Sequence, residues 1–112
     1  MKINELNQQI YYHVTLTKNV ASIMKTGLKP MVGDRAQQIE GKPAVFLFKT
    51  IDDMEDAILN WLGDEFDEDE SLTLLKVNLP PNFPVNHDKS VGYEYFTFKT
   101  IPPEYLTKLK VI

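Results

Sequence analysis

Three side chains in this sequence have the chemistry of a reaction site: His13 in YYHVT, Arg35 in KPMVGDRAQQIEGK and Glu94 in GYEYFTF. An imidazole offers one donor and one acceptor nitrogen to a polar ligand. The planar guanidinium fork of Arg35 suits a diphosphate. A carboxylate at Glu94 can engage a ligand hydroxyl or a developing positive charge. Each type also has an ordinary structural use, as a strand histidine bonded to a neighbouring backbone, a solvated loop arginine or an outward-pointing strand glutamate. Strand alternation places Glu94 with Phe96 and Phe98. On a buried face an unpaired carboxylate there would be costly without a partner or an opening to solvent.

Other chemistries are excluded by absence. The chain has no Cys, hence no disulfide framework, thiolate zinc site or cysteine nucleophile. No GxGxxG, P-loop, HExxH or GxSxG occurs. His13 and His87 stand far apart with no acidic residue at metal-ligand spacing, so no metal site is expected. The acidic run lacks the glycine-centred spacing of a calcium loop. At 112 residues and 43% hydrophobic content the chain suits a single domain over residues 1–112. With no apolar leader and no run long enough to cross a bilayer, a soluble cytoplasmic protein is expected.

The net charge of -4 conceals a segregation. Ten of the sixteen acids lie within residues 52–70, which hold no Lys or Arg, and the rest of the chain carries twelve bases against six acids. Phosphate-bearing ligands suit the latter part, and a protein target with a basic surface suits the former. A broad nucleic-acid surface is less favoured, because Arg35 is the sole arginine.

The elements that must position these residues follow from periodicity. Residues 10–15 form a strand with Tyr11, His13 and Thr15 on one face and Ile10, Tyr12 and Val14 on the other, and large side chains on both faces predict a central position. Thr17 is expected to cap a short helix whose stripe is Val20, Ala21, Ile23 and Met24, with Gly27 ending it and Pro30 blocking its resumption. Residues 29–42 read as a functional loop, 44–48 as a buried strand, and 52–62 as a helix capped by Thr50, with Met54, Ala57, Ile58, Trp61 and Leu62 inward and Gly63 closing it. An acidic loop covers 64–70, followed by strands at 72–79 and 93–98, a proline-started turn at 101–106 and a terminal strand at 109–112. Asn86 to Lys89 read as a polar turn. The sum is an α+β domain with a curved or split mixed sheet and two short helices.

The succession YYHVTLTKNVASIMKTGLKP, a loop with Arg35, AVFLF and GYEYFTFKTIPPEYL resembles the ADP-ribosyltransferase superfamily over residues 11–106. It is similar to the small bacterial or phage branch near the DNA-modifying toxins and the RNA 2′-phosphotransferases. The resemblance implies a compact ADP-ribosyltransferase-like fold, NAD as the ADP-ribose donor and release of nicotinamide. It implies that His13 contacts the nicotinamide ribose and that Thr15 and Asn19 help to hold the dinucleotide. Arg35 would hold phosphate, Phe46 would stack on nicotinamide, and Glu94 would stabilise the oxocarbenium-like transition state, with Glu94 and His13 as the catalytic pair. Family members often carry Tyr where this chain has Phe46, which keeps the ring and loses a hydroxyl. The acceptor is not legible. Two alternatives stay open: a noncatalytic binding or effector protein of the same fold, and an RNA 2′-phosphotransferase, which the scarcity of arginine disfavours.

Overall fold

β-Branched, aromatic and aliphatic runs dominate this chain, and they assemble into one sheet. The computed structural model describes residues 9–30, 43–60, 70–87 and 94–111, apart from the side chains of Asn60 and Glu94. Arg35, Trp61, Leu62, Gly63, Asp88, Lys89, Tyr93 and most of the 29–42 and 64–70 loops therefore lie outside the described residues, as does Ile112. The elements are β1 (Gln9–Leu16), a 3-10 turn (Thr17–Asn19), α1 (Val20–Thr26), β2 (Val45–Phe48) and α2 (Ile51–Asn60). β3 (Leu72–Leu79), β4 (Asn86–His87), β5 (Glu94–Thr97), a second 3-10 turn (Pro103–Tyr105) and β6 (Leu106–Val111) follow.

The sheet order is β4-β5-β2-β1-β3-β6. β1 is thus central, as its two loaded faces predict. All five registered pairings among the described residues are antiparallel. The architecture is α+β, with an open sheet and two helices.

Each face of the sheet buries its own apolar set. Tyr11, Val45, Leu47, Val77 and Leu79 pack with Leu28, Ile101 and Leu106 on one side, with Ile23 of α1 half-buried against them. Val14, Phe48, Leu72 and Leu74 pack with Met54 and Ala57 of α2 on the other. The period-two rule sorts β1 between these two cores.

The helix signals are met unequally. The Thr50 hydroxyl accepts from the Asp53 amide at 3.0 Å, as the sequence predicts, and Asp52 and Asp53 occupy the first turn of α2. Thr17 does not act as a cap. Its hydroxyl bonds across to Ser71 Oγ at 2.9 Å and Thr73 Oγ1 at 2.8 Å, and a 3-10 turn intervenes before α1. The apolar stripe of α1 is also narrower than expected: no residue of that helix is fully buried, and Met24 is 37% exposed.

Gly27 ends α1 at φ 99°, a conformation that L side chains rarely adopt. A Cβ there would stand 2.7 Å from the Ile101 carbonyl oxygen. This close approach permits the Leu28 and Ile101 amides and carbonyls to exchange two hydrogen bonds of 2.9 Å, tying the end of α1 to the IPPE turn.

Candidate functional site

β1 is joined to its two neighbours very differently. Against β3 it keeps register over eight pairs, from Gln9 opposite Leu79 to Leu16 opposite Leu72. Against β2 the registered ladder holds one pair, Tyr12 opposite Phe48. β2 in turn runs four pairs with β5. The sheet is therefore two well-laddered parts, β1-β3-β6 and β2-β5-β4, meeting at a narrow junction.

His13 stands at that junction. Its Nδ1 lies 2.7 Å from the Phe46 carbonyl oxygen. A carbonyl can only accept, so Nδ1 carries the proton and Nε2 of the neutral ring is an acceptor. The imidazole thereby supplies a donor to the β2 backbone at the place where the β1 ladder no longer does. The side chain keeps some exposure, yet burial lowers its pKa, with the bond to Phe46 opposing the shift. A carbonyl partner does not stabilise an imidazolium as a carboxylate would. His13 is thus built as an oriented hydrogen-bond acceptor rather than as the base of a His-carboxylate pair.

Phe46 is half-buried and tilts against Phe96 with ring centroids 6.3 Å apart, and Phe96 meets Phe98 edge-on at 5.4 Å. Glu94 is in register with Phe48, which is itself in register with Tyr12. Two strand spacings place its backbone roughly 10 Å from that of β1. Along an unbroken pleat, position 94 would fall on the Tyr12 side of the sheet and not on the His13 side. The register alone therefore does not bring positions 13 and 94 to one face of the sheet. Thr15 is buried, opposite Thr73, and offers little surface to a ligand. Asn19 is exposed at the end of the 3-10 turn, and its side chain makes no cap bond to α1. Arg35 lies outside the described residues.

One cluster has no counterpart in the sequence reading. Lys49 Nζ sits 4.8 Å above the Tyr11 ring, Tyr11 meets Tyr95 at 5.3 Å, and His87 stacks on Tyr95 at 4.2 Å with an 11° interplanar angle. Burial, with a smaller contribution from Tyr95, raises the Tyr11 pKa. The Gln9 amide reaches the Pro80 and Phe83 carbonyls at 3.0 and 2.9 Å, fixing the PPNFP turn beside this row. The strand pattern of Tyr11 and Tyr95 was visible in sequence, but their meeting across β2 depends on strand order. Asn86 and His87 form a short strand against β5 rather than a turn.

Among the described residues no group of three His, Cys, Asp or Glu could hold a metal ion, and no helix is long and apolar enough to cross a membrane. Comparisons of the chain with protein-family models, with curated proteins and with solved structures find no match.

Proposed function

We propose that this chain transfers ADP-ribose from NAD to a macromolecular acceptor with release of nicotinamide. The observation that carries this reading is His13: a neutral imidazole, held by the Phe46 carbonyl at a sheet junction, with Nε2 left as an acceptor for a ribose hydroxyl. Its support extends to the half-exposed ring of Phe46 and the exposed amide of Asn19, which suit a flat heteroaromatic group and a polar one. Thr15 fits less well, being buried.

In this reading Arg35 pairs with the diphosphate, and the Glu94 carboxylate lies near the ribose. When bound, NAD supplies a C1′–N bond to a pyridinium, whose cleavage returns the bonding electrons to the ring nitrogen while the acceptor bonds C1′ and gives up a proton. A fixed carboxylate favours the positive ribose of the transition state more than the ground state.

The test is single-turnover nicotinamide release at saturating NAD, paired with direct NAD binding. Glu94→Gln keeps shape and hydrogen bonding but removes charge. It should change affinity only a few-fold and slow release on the order of a hundredfold. His13→Ala should instead weaken NAD binding, by up to about tenfold for one neutral hydrogen bond. A parent protein that neither binds NAD nor releases nicotinamide would overturn the reading in favour of a noncatalytic binding protein. A Glu94→Gln variant releasing nicotinamide at the parent rate would remove that residue from catalysis.

A further inference from the structure

Among the described residues β6 ends the sheet, and its form is unusual for a closed edge. Only Leu106 is buried, and the remaining five residues are exposed, with Leu109 at 40% and Val111 at 51%. Pairing with β3 uses one flank of the strand, leaving the alternate backbone N–H and C=O groups of the other pointing away from the sheet. The register carries a bulge: Lys108 is opposite Leu75 and Lys110 opposite Leu74, so Leu109 is the extra residue.

That one residue changes where the charges go. In a regular strand Lys108 and Lys110 would share a face. Because their partners Leu75 and Leu74 are adjacent on β3, the two lysines lie on opposite faces and frame the edge from both sides. Lys76, in register with Thr107, adds a cation on the Lys110 side.

We propose that β6 is a docking edge for an acidic, extended segment of a partner protein, which adds beside Leu106–Val111 as a further strand. Edge lysines and a bulge normally deter strand addition. They deter unselectively only when the incoming strand is neutral or basic. A segment with adjacent acidic residues projects one carboxylate to each face and meets one lysine on each, while its backbone takes up the free ladder groups. A second copy of β6 is a poor occupant, since antiparallel pairing centred on Leu109 sets Lys108 against Lys110. β3 lies between β6 and β1, the strand that carries His13.

The probe is a labelled peptide with a central Glu-Glu pair flanked by Val and Thr, followed by fluorescence anisotropy and by amide exchange of residues 107–111. Binding should be lost when alternate peptide amides are N-methylated. It should weaken about tenfold or more on Lys108→Glu with Lys110→Glu, or when the peptide pair becomes Lys-Lys. The amides of 107–111 should gain protection in the complex. Four results would overturn the proposal: no binding, undiminished binding of the N-methylated peptide, undiminished binding to the charge-reversed protein, or protection of 107–111 through concentration-dependent self-association without peptide. The last would assign the edge to a second copy.

Discussion

At His13, burial favours the neutral ring, while the bond to the Phe46 carbonyl opposes that shift and fixes the proton on Nδ1. Its pKa in the folded protein is below that of the unfolded chain, so below about pH 6.5 the unfolded state binds more protons and stability rises with pH. The contribution is complete above that value and is lost as pH falls through it toward the lowered native pKa. The urea midpoint should therefore drop between about pH 7.5 and pH 5.5 by more in the parent than in His13→Gln. Equal drops in the two proteins would show that His13 is not buried neutral. Gly27 poses a different residue-scale demand, where both the positive φ and the 2.7 Å approach to the Ile101 oxygen oppose a side chain. Gly27→Ala should cost about 1–3 kcal/mol in denaturant titration. A loss near zero would mean that the Leu28 and Ile101 bridge yields without consequence.

The two helices show how unequal local and tertiary contributions can be within one element. α2 is started by the Thr50 cap and held by Met54 and Ala57, both fully buried. Thr50→Ala should destabilise by about 1 kcal/mol, the usual worth of a lost cap. Met54→Ala should cost more, about 2–5 kcal/mol, because it leaves a cavity in the core beneath the sheet. Reversal of that order in thermal or urea unfolding would put the stability of α2 in its first turn and not in its packing. The Thr17 hydroxyl has a different role from Thr50, although both precede helices. It joins β1 to β3 through Ser71 and Thr73, which sequence could not signal because those partners lie more than fifty positions away.

Charge acts on the whole molecule. The acids of residues 52–70 include Asp52, Glu55 and Asp56 on the exposed side of α2, and Lys18 meets Glu70 at 3.3 Å. That pair is solvent-exposed and contributes at most about 1 kcal/mol. The larger effect is a field that attracts basic surfaces and repels phosphate backbones. Neutralising Asp67, Glu68, Asp69 and Glu70 together should slow association with a polylysine surface, most at low ionic strength, and, if the proposed NAD-dependent activity holds, leave NAD affinity unchanged. Loss of NAD binding in a folded variant would instead move the segment into the ligand site.

Periodicity and punctuation in the sequence determined most of the elements. Alternation gave the central strand β1 with its two faces and the limits of β3, Gly27 and Pro30 closed α1, and Thr50 opened α2. These are local decisions, set by side-chain direction and by backbone groups within a few residues. His13 and Glu94 stood out locally too, as polar groups among strand aromatics. What no local pattern could decide was which strands are neighbours and how firmly they join. The bulge that turns Lys108 and Lys110 to opposite faces exists only against β3. The proton position on His13 is set by a carbonyl thirty-three residues away, brought within reach where β1 meets β2. Strand order is chosen by the joint burial of both apolar faces, a property of the assembled sheet that no single segment possesses.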